Sequence, residues 1–356
     1  MIKNIAMKNL FTTCLLVLCA TIVLPSCQHD EPEGIKPVEE RSILLLSGIG
    51  EIYDVDGKVI TTLPSCQAVS QIIVDGNDYF VSGSSSKDRV GYWKNGKWNT
   101  LHIDFIDDVE HWAAGIGKWD YYIFLLDYPN VLKNSGIFRL KDSENFIAAN
   151  HGISVSEGKC YVVGSDLVKE PVEARVPVVY HEHKGEYVSQ RLILPKGVTY
   201  GDALSVYAYD RDHVIVGGNA RREPAIWVDN VLHILHRGFR VDNAYEDLPN
   251  GIVTAIVRID GHTFAAGHEL YEPEKIIATV WRDGVPEHLK ASGDDFISSE
   301  VMDIQAYGSD LYLLTHEYSL VHAEDHDYEA LSSVLWMNGK VVCKIPYKGM
   351  MSFAVY

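Results

Sequence analysis

The dipeptide His-Glu occurs at His268-Glu269 and again at His316-Glu317, each time just beyond a short apolar run, Thr263-Phe264-Ala265 and Leu311-Tyr312-Leu313. Two imidazoles and two carboxylates in equivalent places of neighbouring units could converge, a mixture that suits a divalent metal or acid/base work on a sugar. Asp127, Asp166 and Asn219 end comparable runs and join these four as ligand-binding candidates. The competing reading is a solvated polar rim whose members bond only to loop backbone. Other groupings carry less. His268-Glu269-Leu270-Tyr271-Glu272 lacks the second histidine of a helical zinc-protease motif. His181-Glu182-His183 puts two imidazoles on one face of a strand beside a hairpin, and the run from His322 to Asp327 is an acidic loop without the turn an oxygen cage needs. Asp54-Val55-Asp56-Gly57 starts like a calcium loop and has none of the later ligands. No phosphate-cradling glycine loop and no nucleophile elbow is present, and no cofactor is expected.

What must position these residues is a repeated unit. From Ala203 to Leu235 the chain reads as four short strands: apolar alternation at Leu204, Val206 and Ala208, a polar turn, Val214 to Val216, a loop, Ala225 to Val228, a tight turn at Asp229-Asn230, and Val231 to Leu235. Four antiparallel strands cannot bury both faces alone, so copies must stack around an axis. An aromatic just ahead of a turn marks the third-to-fourth-strand hairpin at Trp93, Trp227, Trp281 and Trp336, with looser copies at Tyr53, Phe138 and Tyr180. Seven units result. The spacing of roughly 40 to 55 residues suits blades of four strands. No first strand precedes Ile43 to Leu46, whereas Met350 to Tyr356 aligns without gaps on Ala203 to Tyr209 and on Val301 to Tyr307. The C-terminal strand is therefore expected to close the ring against the N-terminal blade, removing an open edge. The predicted fold is all-β, a seven-bladed propeller over residues 42–356.

In such a ring, short turns join strands one to two and three to four on one face, and the remaining loops gather on the other. The longer connections, Leu167 to Val176, Glu269 to Ile276, Glu317 to Leu331, Arg237 to Asn250 and Lys290 to Ser299, are all of the second kind. The ligand is expected there, with Tyr271, Tyr318, Tyr328, Phe239 and Tyr245 as candidate stacking platforms.

The chain has 356 residues, 47% hydrophobic and 22% charged, with a formal charge of -18. Such acidity without a basic cluster excludes nucleic acid as a partner and an anionic bilayer gripped by charge. Lys3 and Lys8 precede the apolar run Leu10 to Leu24, too short for an ordinary spanning helix, so residues 1–26 read as a secretion signal. Leu24-Pro25-Ser26-Cys27 resembles the lipobox of bacterial lipoproteins, although Pro25 departs from its commonest residues. The resemblance implies cleavage before Cys27 and acylation of its thiol, hence a membrane anchor. Gln28-His29-Asp30-Glu31 resembles the acidic export tag of surface lipoproteins of the Bacteroidetes, implying an outer-membrane, cell-surface address. Residues 27–41 are Pro- and Glu-rich and read as a flexible acidic tether. Cys66, Cys160 and Cys343 remain, an odd number read as small apolar fillers.

The blade pattern resembles bacterial propellers of the quinoprotein-like and YVTN-like class. The Gly-His and Trp-Asp signatures of WD40 blades, regular YVTN strings and the Asp-box of sialidases are absent. The preferred functional reading is non-catalytic: a surface-anchored module binding a carbohydrate or a protein partner. The rival is a polysaccharide-active lyase or glycosidase with a His/Glu site at the propeller mouth, by analogy of fold and location.

Overall fold

The computed structural model describes residues 41–86, 90–100, 114–120, 122–127, 130–134, 136–141, 145–169, 173–242, 249–273, 275–289, 298–322, 327–346 and 349–356. Cys27 with the signal and most of the tether, Tyr245, and residues 323–326 of the acidic loop lie outside them.

The described residues form seven four-stranded antiparallel sheets and no helix. Blade 1 contains β1 (Ile43–Ser47), β2 (Glu51–Tyr53) and β3 (Val59–Thr62). Blade 2 is β4 (Cys66–Asp75), β5 (Asp78–Ser85), β6 (Gly91–Lys94) and β7 (Lys97–Thr100); blade 3 is β8 (Gly115–Trp119), β9 (Tyr122–Asp127), β10 (Asn130–Lys133) and β11 (Gly136–Arg139). Blade 4 is β12 (Phe146–Ser156), β13 (Lys159–Val168), β14 (Ala174–His183) and β15 (Glu186–Arg191); blade 5 is β16 (Gly201–Ala208), β17 (Val214–Ala220), β18 (Glu223–Val228) and β19 (Val231–Ile234). Blade 6 is β20 (Gly251–Ile259), β21 (His262–Glu272), β22 (Lys275–Arg282) and β23 (Val285–His288); blade 7 is β24 (Ser298–Tyr307), β25 (Asp310–His322), β26 (Asp327–Met337) and β27 (Lys340–Pro346). The last strand, β28 (Met350–Val355), pairs antiparallel with β1, Leu45 opposite Phe353, and supplies the innermost strand of blade 1. The ring closes where the sequence places the closure.

The hairpins follow from their turn residues. Asn95-Gly96, Lys184-Gly185, Asp229-Asn230, Asp283-Gly284 and Asn338-Gly339 all have positive φ at both positions, the type I′ geometry that matches strand twist. Four of these turns, and Asn134 in blade 3, add a clasp: the backbone N–H of the first turn residue donates to a carbonyl at the start of the second strand, and its Oδ1 accepts the N–H of that same residue. A short amide or carboxylate thus extends the ladder by one step. Lysine at 184 cannot do so. The marker at Phe138 sits on the fourth strand, β11; the true third strand of blade 3 is β10, whose turn is at Asn134.

A further expectation is revised. The connections after the second strands of blades 4, 6 and 7 are not open loops, because the ladders continue: Val168 pairs with Ala174, Glu272 with Lys275 and His322 with Asp327. Long hairpin arms leave this face. In β28, alternation from Met351 would send Phe353 and Met350 to opposite sides, yet both belong to the cluster shared with Leu45, Leu335 and Ile345. A bulge at Met351 resets the period, since Leu46 pairs with Ser352 and Ser47 with Met350.

The same bulge recurs on the inner strands at Leu204, Thr254 and Met302. Neighbouring inner strands are joined by side chains reaching backbone: Ile116 N–H donates to Gln71 Oε1 (3.1 Å), Ala208 N–H to Ser154 Oγ (3.0 Å), and Thr254 Oγ1 to the Val301 carbonyl (3.0 Å). The core is the stack of apolar layers between blades, and Trp93, Trp227 and Trp281 are fully buried in it. Cys66, Cys160 and Cys343 are free, and burial pushes the Cys160 thiol up to about 12.

Candidate functional site

Three of the candidate residues, Asn219, His268 and His316, sit at one layer of the second strands, just above the inner-strand bulges. There the carbonyls of Ala68, Ile147, Asp202 and Ile252 press against the opposite strand so closely that a Cβ at Gly83, Gly164, Gly218 or Gly267 would collide with them. Glycine is therefore needed at that step. The residue after each glycine is Ser84, Ser165, Asn219 or His268, and in blade 7 His316 follows Thr315. In the ladders Ile147 faces Ser165, Asp202 faces Asn219, Ile252 faces His268 and Glu300 faces His316.

This layer reaches toward the inner strand of the next blade. Ser165 Oγ donates to Asp202 Oδ1 at 2.8 Å, His268 Nδ1 lies 3.9 Å from Glu300 Oε2, and His316 Nε2 donates to the Met350 carbonyl at 2.7 Å. Two acids therefore mark the mouth, and neither was singled out from the sequence. Asp202 is closed off: beyond Ser165 it accepts Asn219 Nδ2 (3.2 Å) and pairs by charge with Arg175, whose Nε lies 2.5 Å away, and only 6% of it is exposed. Glu300 is open, with 28% of its side chain exposed.

Around Glu300 the groups form a file. The Tyr318 hydroxyl donates to Glu300 Oε1, and His316 Nδ1 lies 3.3 Å from that hydroxyl. Because a carbonyl only accepts, the Met350 contact fixes a proton on His316 Nε2 and leaves Nδ1 to exchange one with Tyr318. A proton can then reside on Glu300 or, through Tyr318, on His316. Burial holds both His316 and His268 below the usual imidazole range, with the Glu300 carboxylate pulling the other way. His268 Nδ1 is buried and makes no hydrogen bond.

The structure brings the two histidines to one carboxylate, but not to Glu269 and Glu317. Successive side chains of a strand point to opposite faces. Glu269, fully buried, accepts Gly238 N–H (2.8 Å) and bonds His288 Nε2 (2.9 Å), which ties down the connection between blades 5 and 6. Phe239 packs on the His288 ring at 4.5 Å and on Tyr271 at 5.9 Å, so this pair covers the clip. Glu317 accepts from Ser332 Oγ (2.6 Å) and pairs with Lys344 Nζ (2.8 Å). His316, 2% exposed, is an interior residue and not part of a rim. Asp166 ends its run half-buried, its carboxyl raised by burial against the opposing pull of Arg191. Asn219 gives its Nδ2 to Asp202 while its buried Oδ1 makes no hydrogen bond, and Asp127 ends β9 opposite Asn130 in the ladder. Among the described residues no group of three or more His, Cys, Asp or Glu could hold a metal ion.

Neither a family model nor a curated protein matches this chain. Among solved structures it is similar to apo AztD from Citrobacter koseri, with TM-score 0.43 and 10% identity over 89% of this chain and 98% of that one. It is also similar to YjhT, at 0.42 and 10% over 79% and 99%, and to a GH43_1 enzyme from Xanthomonas citri, at 0.35 and 10% over 80% and 92%. These are likenesses of fold alone.

Proposed function

We propose that the chain is a lipid-anchored, surface-exposed binding module whose loop-rich face takes a carbohydrate, with the mouth around Glu300 as the contact. One observation carries the reading: Glu300 has one oxygen held by the Tyr318 hydroxyl and a second facing an unbonded imidazole, His268, while part of it remains open to solvent. An oriented carboxylate of this kind accepts a sugar hydroxyl without first being ordered, and charge-assisted hydrogen bonds are the strong ones. Tyr318, foreseen as a stacking platform, acts in this reading by orienting the acid.

A second reading, a polysaccharide-active enzyme, is favoured by the proton path from Glu300 through Tyr318 to His316, which is the equipment of general acid/base catalysis. Purified full-length protein on a glycan array, followed by product analysis on any glycan retained, separates the two. Glu300→Gln keeps the shape and removes the charge. Binding should fall about tenfold or more; in the enzyme reading turnover is lost while retention persists. Unchanged binding and turnover by this variant would place the contact elsewhere.

The anchor rests on Lys3, Lys8, the apolar run and Cys27. Cys27→Ser should release the protein from the membrane fraction of its cells, because the tether has no apolar face of its own and stable anchoring takes more than one acyl chain. Persistent fractionation with membranes sinks the lipoprotein assignment.

A further inference from the structure

On the opposite, hairpin face, a cavity of about 290 Å³ opens between blades 6 and 7. Its floor is apolar, made by Ile259, Phe264, Val280, Leu311 and Leu313. Arg282, Glu287 and Asn338 stand among the polar groups that line it. Its size is near the lower limit for small-ligand sites, roughly 300 Å³, which suits one ring with a short tail.

The neighbouring gaps show why it is there. Four positions beyond the residue at which pairing resumes after the bulge (Ser205, Ala255 and Asp303) stand Tyr209, just past the end of β16, Ile259 at the end of β20 and Tyr307 at the end of β24. Tyr209 packs into the layer between blades 5 and 6 with Leu235, Val253 and Trp281, lies under Arg258 at 4.7 Å, and bonds through its hydroxyl to Asp229. Tyr307 packs into the layer between blades 7 and 1 with Phe353 and Ile345. Between blades 6 and 7 the chain supplies isoleucine, which packs with Leu311 and Leu313 but carries no ring. One aromatic side chain is missing from a row of three.

The rim says what should accompany the ring. Arg282 is exposed, rests over Phe264 at 5.7 Å, and makes no ion pair among the described residues. The adjacent carboxylate is occupied: Asp283 accepts Thr263 N–H (2.9 Å) and bonds His262 Nδ1 (2.6 Å). A guanidinium that rests over a ring and has no carboxylate partner keeps its forked donors available to receive one. Glu287 and Asp260 also line the cleft, where Arg282 is the one arginine or lysine, so a single ligand carboxylate must be met by that guanidinium and a second would find only repulsion. We propose that this cleft binds a small aromatic monocarboxylate, its ring taking the place that Tyr209 and Tyr307 fill in the flanking gaps and its carboxylate meeting Arg282. The site is independent of the mouth around Glu300, and loss of one leaves the other.

The test is titration of the full-length protein with 3-phenylpropionate, followed by calorimetry and by the melting temperature, with 3-phenylpropylamine as the charge-reversed probe. The acid should bind saturably, and the amine at least about tenfold more weakly. Ile259→Tyr should abolish binding and raise the melting temperature, because the chain then supplies its own ring. Arg282→Gln, a surface change that leaves the floor intact, should weaken the acid about tenfold without altering the melting temperature. No saturable binding of the acid by the natural chain overturns the proposal. So does equal binding of the amine, or undiminished binding by Arg282→Gln; if Ile259→Tyr melts lower than the natural chain, the arginine variant alone decides.

Discussion

A chain ending at Gly349 will be insoluble, or will melt at least about 10 °C below the full chain. The deleted strand holds Met350 and Phe353, both fully buried, and Ala354 at 1% exposure. Losing each large apolar side chain from the core removes about 1.5–3 kcal/mol, and the exposed edge of β1 adds a surface for aggregation. The polar losses are also large. Asp303, 7% exposed, accepts Ser352 Oγ (2.6 Å) and Phe353 N–H (3.3 Å), and burial already raises its carboxyl above the usual range. Gln305 loses its bonds to the Phe353 carbonyl and the Val355 N–H, and His316 loses the Met350 carbonyl. Against a typical net stability of roughly 5–15 kcal/mol, these losses exhaust most of what holds the domain folded. Phe353→Ala gives the graded version and should cost about 3–5 kcal/mol in denaturant unfolding. Unchanged solubility and melting of the truncated chain would show that the N-terminal blade stands without its inner strand.

The closing strand was legible because seven residues at the C-terminus align with Val301 to Tyr307, and the ladder confirms the match at Met350 and Val301, each followed by a bulge. The hairpins were legible for a similar reason: positive φ restricts the residue choice to pairs such as Asn-Gly and Asp-Asn. The site was only half legible. His268 and His316 stand out as a repeat, whereas the two-residue period of a strand sends Glu269 and Glu317 to the opposite face from them. Glu300 went unnoticed because it stands one residue before the aligned first strand, and nothing local marks the carboxylate as the partner of a histidine contributed by the preceding blade. The glycines offered a further clue. Gly83, Gly164, Gly218 and Gly267 each precede a member of the layer, and a residue forced to lack a side chain marks where an opposite carbonyl intrudes. Inner-strand bulges themselves leave no pattern in composition, so the parity of side chains beyond them was beyond reach.

Replacing Trp281 will separate two roles that the sequence marker combined. The indole is fully buried, and its Nε1 donates to the His236 carbonyl at 2.8 Å, in the connection from blade 5 to blade 6. Trp227 does the same to Ile193 in the connection from blade 4, at 2.7 Å, and Trp93 to Pro64 in that from blade 1, at 3.2 Å. The tryptophan of the third strand thus fills the layer between blades and pins the loop by which the chain arrives. Trp281→Ala removes both functions and should cost about 3–5 kcal/mol. Trp281→Phe keeps most of the apolar volume but leaves the His236 carbonyl without its donor, for about 1–3 kcal/mol. Its effect should be local, because the pinned stretch continues into Gly238, whose N–H is held by Glu269. Amide hydrogen exchange should therefore quicken between Leu235 and Asp242 and stay unchanged in blades 1 to 4. Trp336→Phe is the internal control: that indole donates to Thr315 Oγ1 within its own blade at 2.8 Å, so its replacement should leave the connection between blades 5 and 6 as protected as before. Exchange that rises evenly over all blades in Trp281→Phe, or equally at this connection in Trp336→Phe, would reduce the tryptophans to fillers and remove the pin.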